Sequence, residues 1–142
     1  MGLKYLLDTN ILSEVVKKQP DSRVLSKLEE AAGQYCTCVT VWHELHHGVA
    51  LLQASKRKSG LSAYLASLER GGLPVLSYEK SAAHWLAGER ARLSKRGLVI
   101  PYMDGEIAAV AAVNQLVLVT RNVLDFKSFN ALRIENWFSN KQ

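Results

Sequence analysis

The sequence predicts a single α/β domain in which a parallel sheet of about four to five strands is flanked by helices. Short β-branched and apolar runs alternate along the chain with longer segments that carry apolar residues at helical spacing, a pattern typical of strand-helix-strand units. The chain of 142 residues has the length of one domain, and its 48% hydrophobic content suffices for a core. No repeat or low-complexity segment interrupts the alternation, so residues 1–142 are expected to form one unit.

The composition indicates a soluble, cytoplasmic protein with no membrane partner. No apolar run approaches the roughly 20 residues that a membrane-spanning helix needs. The two cysteines, Cys36 and Cys38, would be near neighbours on one face of a strand, a poor geometry for a disulfide, which favours a reducing compartment. The net charge of +5 favours a polyanionic partner such as nucleic acid, although proteins without such a partner often have a basic surface as well.

The chain is expected to open with a strand over residues 3–7 and a helix over residues 11–16. Asp8, Thr9 and Asn10 lie between them and are all good N-caps, so helix capping alone explains the acid Asp8. A second helix is expected over residues 20–31, with Gly33 as its stop.

Residues 35–39 are expected to form the second strand, followed by a helix over residues 41–54 with Thr40 as its N-cap. This boundary places Glu44 in the first turn, where the helix dipole stabilises a carboxylate by roughly 0.3–1 kcal/mol. The acid at this position therefore has a structural explanation as well as a chemical one.

The middle of the chain predicts further helices and one strand. Residues 55–60 are basic and polar and are expected to form a solvated connection, and a short amphipathic helix follows at residues 61–69. Glycine and proline then precede a strand at residues 75–78, and a long helix with one charged face is expected at residues 79–96.

The last third of the chain carries polar groups on both sides of a buried strand. Asp104 opens an alanine-rich helix, and the β-branched run at residues 117–120 predicts a strand. Asn122 and Asp125 follow that strand, so polar groups collect beyond its carboxyl end. A last short strand is expected near residues 133–135.

Four acidic residues share one position relative to the predicted sheet. Asp8, Glu44, Asp104 and Asp125 all lie where a strand ends or an adjoining helix begins, and these points meet at one edge of a parallel sheet. Carboxylates that converge without a basic partner repel one another unless a cation is present. Mg²⁺ or Mn²⁺ prefers oxygen ligands and activates water for attack on a phosphodiester, so the pattern indicates metal-dependent phosphodiester hydrolysis. Four separate caps and solvated acids would look the same in the sequence.

Together these motifs resemble the PIN-domain ribonucleases, in particular the VapC-like and FitB-like toxins of type II toxin-antitoxin pairs. The resemblance spans nearly the whole chain and rests on an ordered set of motifs: LLDTNIL around Asp8, TVWHEL around Glu44, PYMDGEIAAVA around Asp104, LVTRNVLDF at residues 118–126 and RIENW at residues 133–137. It implies a PIN-like fold, endoribonuclease activity that depends on Mg²⁺ or Mn²⁺, an RNA substrate, a homodimer, and inhibition by a small cognate antitoxin protein.

The resemblance also implies roles for single residues. Asp8, Glu44 and Asp104 match the three acidic positions of the family's metal site, and with Asp125 they are the expected catalytic residues. The fourth position is matched either by Asn122, where some relatives have an acid, or by the nearby Asp125.

Several polar neighbours are candidates for supporting roles. Thr9, Thr120 and Asn122 carry hydroxyl or amide groups that can hold a carboxylate or a water in place without adding charge. Thr9 is equally a candidate helix cap. Arg121 is a candidate phosphate contact or a structural counterion of the acids.

A second motif overlaps the one around Glu44. The stretch HELHH at residues 43–47 matches the helical zinc signature H-E-x-x-H and predicts, as an alternative, a small zinc metallopeptidase built on His43, Glu44 and His47. Glu69 is the only later candidate for a third protein ligand, and this alternative leaves the other acids without a role. A non-catalytic module that binds nucleic acid or a partner protein is a third alternative, which the intact set of acids disfavours.

Overall fold

The computed structural model describes residues 2–139, and in this part the chain forms five strands and seven helices. The strands are β1 (Tyr5–Leu7), β2 (Tyr35–Cys38), β3 (Val75–Leu76), β4 (Val117–Val119) and β5 (Ile134–Glu135). The helices are α1 (Thr9–Glu14), α2 (Ser22–Glu30), α3 (Val39–Ala50), α4 (Lys56–Arg70), α5 (Lys80–Lys95), α6 (Tyr102–Val113) and α7 (Val123–Phe126). None of the helices in this range is long and apolar enough to cross a membrane.

All five strands pair in parallel, in the order β3-β2-β1-β4-β5, which confirms the predicted sheet. On the central strand β1, Leu6 pairs with Cys36 on one side and with Leu118 on the other, and all three side chains are fully buried. Because β2 and β4 lie on opposite sides of β1, the strand order reverses between β1 and β4. The space beyond their carboxyl ends is the topological switch point, where open parallel sheets bind ligands.

Helix α6 packs closely against its neighbours through small side chains. It buries a continuous run from Ile107 to Ala111, and its buried Gly105 faces Leu86 of α5. A Cβ at Gly105 would fall 2.8 Å from a methyl carbon of Leu86, so a side chain at this position would push the two helices apart or move Leu86. Gly105 therefore sets how closely α5 approaches the helix that carries Asp104.

The start of α3 differs from the sequence prediction. The helix begins at Val39, and the predicted N-cap Thr40 is wrong because its hydroxyl donates to Glu106 Oε1 at 2.9 Å. Cys38 occupies the cap position and makes no side-chain cap hydrogen bond. Glu44 consequently lies in the second turn, beyond the first turn in which the helix dipole acts most strongly. The dipole therefore does not explain the acid at this position.

The predicted solvated connection at residues 55–60 is wrong, because these residues cap and begin α4. Helix α3 ends at Ala50, and Ser55 caps α4 by accepting a hydrogen bond from the backbone N–H of Lys58 at 3.1 Å. The Lys58 ammonium group donates to the Leu52 carbonyl at 2.9 Å. This hydrogen bond links the segment between α3 and α4 to the first turn of α4. The prediction failed because charged residues suit an exposed first helical turn as well as a loop.

Other boundaries lie close to their predicted places. Asp8 caps α1 and Asp21 caps α2 through side-chain oxygens that accept backbone N–H groups. Cys36 and Cys38 are buried free thiols. Residues Val123–Phe126, for which the sequence predicted no helix, form the short helix α7. Residue 1 and residues 140–142 of the expected single domain lie outside the described residues.

Candidate active site

Asp8 lies at the switch point, directly after the central strand. Its backbone N–H donates to the Val119 carbonyl at 2.9 Å, which joins the ends of β1 and β4. Its carboxylate is held on both oxygens, because Oδ1 accepts from the backbone N–H of Thr9 at 2.8 Å and Oδ2 accepts from the Thr120 hydroxyl at 2.7 Å. Asp8 is therefore a helix cap and a buried, oriented acid at the same time.

Glu44 is brought to the same place by α3. The Thr9 hydroxyl donates to Glu44 Oε1 at 2.8 Å, so Thr9 contacts Asp8 through its backbone and Glu44 through its side chain. The carboxylate of Glu44 is half-buried. Of the two predicted uses of the Thr9 hydroxyl, the support of an acid is present, and the helix cap is wrong because Asp8 caps α1.

Asp104 lies in the first turn of α6 and is half-buried. Burial, followed by the negative charges of Asp125, Asp8 and Glu44, raises the pKa of Asp104 from 3.8 to about 6. The charges of Asp125, Asp8 and Glu44 therefore act on Asp104, as the predicted convergence requires. We call Asp8, Glu44, Asp104 and Asp125 the acidic cluster.

The surroundings of Asp8 act on its pKa in opposite directions. Burial raises the pKa most strongly, hydrogen bonds from Thr120, Thr9 and Asn10 lower it, and the charge of Asp125 raises it. The net result is a raised pKa. Asp125 is exposed on α7, and its charge contributes to the raised pKa of both Asp8 and Asp104.

The acidic cluster has no basic partner among residues 2–139. The ion pairs in this range join Lys17 to Glu14 and Arg92 to Glu89, and neither includes a member of the cluster. The repulsion that raises the pKa of Asp104 is therefore not neutralised by the protein itself.

Asn122 and Arg121 follow β4 at the edge of the cluster. The backbone N–H of Asn122 donates to the Thr120 hydroxyl oxygen at 3.0 Å, and Asn122 precedes α7 without a side-chain cap hydrogen bond. The Arg121 guanidinium packs over the ring of Phe138, 4.6 Å from its centroid, rather than pairing with an acid. Of the two candidates for the fourth position, only Asp125 adds a charge that acts on the other acids.

Sequence reasoning missed Asn10, which contacts both loops of the switch point. Its side-chain amide hydrogen-bonds the Thr120 hydroxyl and the Arg121 backbone, and it lies near Asp8. In the sequence Asn10 was explained as one of three candidate caps for the first helix. Asn10 lies two residues after Asp8, the acid that directly follows β1. This position could have indicated its role, because neighbouring parallel strands bring their following loops close together at one edge of the sheet.

The zinc signature on α3 does not form a closed site. The rings of His43 and His47 stack with their centroids 5.9 Å apart, both side chains are exposed, and Glu44 is turned towards Thr9. Within residues 2–139, no three histidine, cysteine, aspartate or glutamate side chains are spaced as a ready metal site. Glu69, the predicted third ligand, is exposed on α4. The histidines therefore have no catalytic partner in the described part of the chain.

A groove of about 990 Å³ lies between α1, α3 and α4, beside the acidic cluster. Thr9 and Glu44 line one part of it and also belong to the site described above. Apolar side chains form much of the remaining lining: Leu45, Val49, Leu52, Leu61 and Leu65. Basic side chains line it as well: Lys17, Lys18 and Arg57. The groove is therefore an apolar surface with basic side chains, and it is continuous with the acidic cluster at Thr9 and Glu44.

Comparison with known proteins places these features in one family. The PIN domain profile matches residues 5–130. The chain is 37% identical over 136 residues to Ribonuclease VapC2 of Haemophilus influenzae, which covers 95% of this chain and 98% of that protein. It is 30% identical over 135 residues to the tRNA(fMet)-specific endonuclease VapC of Shigella flexneri, with 95% and 98% covered.

The fold is also similar to a solved toxin-antitoxin complex. The crystal structure of VapBC2 from Rickettsia felis, bound to a DNA fragment from the promoter, matches with a TM-score of 0.79 and 31% identity. The match covers 96% of this chain and 99% of that one, so the likeness extends over the whole sheet and its helices.

Proposed function

Because the chain belongs to the PIN domain family, we propose that its acidic cluster holds a divalent cation, Mg²⁺ or Mn²⁺, and hydrolyses RNA phosphodiester bonds. The chain is an endoribonuclease and the toxin of a toxin-antitoxin pair, like its VapC relatives. One observation supports the metal assignment above all others. Burial, and after it the charges of Asp125, Asp8 and Glu44, raise the pKa of Asp104, and no basic side chain of residues 2–139 forms an ion pair with these acids.

The chemistry of the acidic cluster fits Mg²⁺ or Mn²⁺. It offers carboxylate oxygens, which suit these hard ions, whereas structural zinc sites favour sulfur and nitrogen. Asp8 and Asp104 are the proposed ligands, directly or through water, and Glu44 and Asp125 complete the negative charge. Because Mg²⁺ keeps several of its waters, one or two direct carboxylates suffice, which agrees with the lack of a closed three-residue ligand set within residues 2–139.

When bound, the ion would lower the pKa of a water molecule and polarise the phosphate. The residues of the chain prepare the site for that reaction. Thr9 fixes one oxygen of Glu44, whose other oxygen is the proposed acceptor of a proton from the attacking water. Thr120 and the backbone of Thr9 hold the Asp8 carboxylate. Arg121, exposed one residue beyond Thr120, is the proposed phosphate contact.

Removal of divalent ions is expected to stop RNA cleavage, because the acids alone repel both a phosphate and one another. The measurement follows labelled RNA on a gel with the purified protein in Mg²⁺ or Mn²⁺, in excess chelator, and in chelator followed by excess Mg²⁺. We expect cleavage in the first and third conditions only. Full activity in excess chelator would contradict the proposal.

The groove between α1, α3 and α4 is the proposed binding site of the antitoxin. Its apolar lining suits the apolar face of a partner segment, and its basic side chains Lys17, Lys18 and Arg57 suit acidic residues on that segment. Because Thr9 and Glu44 belong to both the groove and the cluster, a segment in the groove can place an arginine or lysine among the acids. Such a residue would exclude the metal ion and the RNA.

Gly48 offers a test of the groove because it lines the groove and has open space around it. A Cβ at this position would meet nothing within 4 Å, so α3 has room for a side chain here, and Gly48→Phe is expected to occupy part of the groove. We expect antitoxin affinity to fall about 10–100-fold, which corresponds to overpacking of about 1–3 kcal/mol. The measurement is calorimetric titration of the antitoxin.

The matched control is Gly88→Phe on α5, where a Cβ also meets nothing within 4 Å and no groove residue is involved. Both variants should retain RNA cleavage, and only Gly48→Phe should escape inhibition. Equal antitoxin affinity in the two variants would place the antitoxin elsewhere.

The proposal also includes a homodimer in the cytoplasm. Val39, Val99 and Tyr102 expose large apolar side chains of the kind that a second copy of the chain would cover. The buried free thiols of Cys36 and Cys38 fit a reducing compartment.

A further inference from the structure

We infer that Asn10 is a positioning residue, which fixes the orientation of the Asp8 carboxylate and ties the loop after β1 to the loop after β4. This inference rests on the proposed function and adds a residue to it. Asn10 lies in the first turn of α1, two residues after Asp8, and its side chain reaches across the switch point to Thr120 and Arg121.

The contacts of the Asn10 carboxamide fix its orientation. Oδ1 accepts a hydrogen bond from the backbone N–H of Arg121 at 3.0 Å. Because a backbone N–H can only donate, the amide oxygen must face Arg121 and the NH₂ group must face the other way. That NH₂ group donates to the Thr120 hydroxyl oxygen at 3.2 Å and lies 3.4 Å from Asp8 Oδ2.

Asn10 thereby sets the direction of the hydrogen bond that holds Asp8. The buried Thr120 hydroxyl accepts from Asn10 at 3.2 Å and from the backbone N–H of Asn122 at 3.0 Å. A hydroxyl has one proton and two lone pairs, and both lone pairs are now occupied. Its proton therefore points at Asp8 Oδ2, 2.7 Å away, while the backbone of Thr9 holds Oδ1.

Loss of the Asn10 amide should loosen two parts of the site together. The Thr120 hydroxyl would lose one of the donors that fix its direction, and the loop that leads to Asp125 would lose its tie at Arg121. Groups that orient metal ligands typically change metal affinity or activity 10–100-fold when they are removed. A residue that only supported the start of α1 would change stability and leave metal affinity as it was.

The test is calorimetric titration of Mn²⁺ into metal-free wild-type protein, Asn10→Ala and the control Asn114→Ala. Asn114 also donates a side-chain hydrogen bond, to the Val110 carbonyl at 2.8 Å, but it lies at the far end of α6. We expect a 10–100-fold weaker Mn²⁺ affinity for Asn10→Ala and an unchanged affinity for Asn114→Ala.

A second variant keeps the test independent of how well the alanine variant folds. Asn10→Ser retains a polar group that is too short to reach both Thr120 and Arg121, and it should show the same loss of Mn²⁺ affinity. Mn²⁺ affinity in both Asn10 variants equal to that of Asn114→Ala would overturn the inference while leaving the proposed function intact. A wild-type protein that binds no Mn²⁺ and cleaves RNA in chelator would overturn both.

Discussion

Asp104→Asn is expected to abolish metal-dependent RNA cleavage and to make the metal-free protein more stable at pH 7. The substitution removes a proposed ligand of the ion, whose effect on the transition state is worth several kcal/mol, so a loss on the order of 10³-fold is expected. It also removes a carboxylate whose ionisation is opposed first by burial and then by the charges of Asp125, Asp8 and Glu44. The gain in unfolding free energy is about 1–2 kcal/mol, a value discounted because Asp104 is partly exposed to solvent.

The pH dependence of this gain follows from the sign of the pKa shift. Asp104 has a pKa of about 6 in the folded protein against an ordinary value of 3.8. Ionisation therefore destabilises the fold, so the penalty is full above pH 6 and disappears as the pH falls from 6 towards 4. The stability advantage of Asp104→Asn over wild type should be largest at pH 7 and small near pH 4.

Urea unfolding of both proteins in chelator, at several pH values, measures this difference, and a cleavage assay in Mg²⁺ measures activity. Glu69→Gln is the matched control, because it removes an exposed carboxylate on α4 that lies outside the acidic cluster. It should change neither property. A folded Asp104→Asn protein with undiminished cleavage would rule out Asp104 as a metal ligand.

The double substitution His43→Ala, His47→Ala is expected to retain RNA cleavage, whereas Asp8→Asn is expected to remove it. Glu44 belongs to both the zinc signature and the acidic cluster, so its own substitution cannot separate the two. The histidines are exposed and stack on each other, while Asp8 is buried and held on both oxygens at the switch point. Loss of the stacked pair is expected to lower stability slightly and to leave the acids unchanged.

The comparison uses bound zinc, RNA cleavage and circular dichroism for wild type and both variants. We expect no stoichiometric zinc in the wild type and normal cleavage by the histidine variant. Stoichiometric zinc that is lost together with activity in the histidine variant, and retained with activity in Asp8→Asn, would favour the zinc enzyme.

Convergence of the acids was predictable because it depends on topology. Once the chain is taken as alternating strands and helices, right-handed crossovers bring the ends of β1 and β4 to one edge, and Asp8 and Asp104 with them. The spacing of apolar residues was regular enough to predict these strands and helices from the sequence. The parallel direction of the strands was predictable as well, because strands that are apolar on both faces are typical of parallel sheets covered by helices.

The details that the sequence did not predict depend on side-chain contacts between distant segments. Thr40 was predicted as the N-cap of α3. In the folded chain its hydroxyl instead donates a hydrogen bond to Glu106, and α3 begins at Val39. Asn10 looked like a local cap candidate, but its partners Thr120 and Arg121 lie more than 100 positions away in the chain. The choice between Asn122 and Asp125 likewise depends on α7, which the sequence did not predict.

The most direct measurement of the central claim is Mn²⁺ binding to metal-free wild-type protein and to Asp104→Asn, in parallel with RNA cleavage by the same samples. We predict that the wild type binds Mn²⁺ and cleaves RNA in proportion to the bound metal. Asp104→Asn should bind Mn²⁺ at least about tenfold more weakly and remain inactive. Equal Mn²⁺ binding by the two proteins, or cleavage by wild type that does not depend on bound metal, would contradict the assignment of the acidic cluster as the metal site.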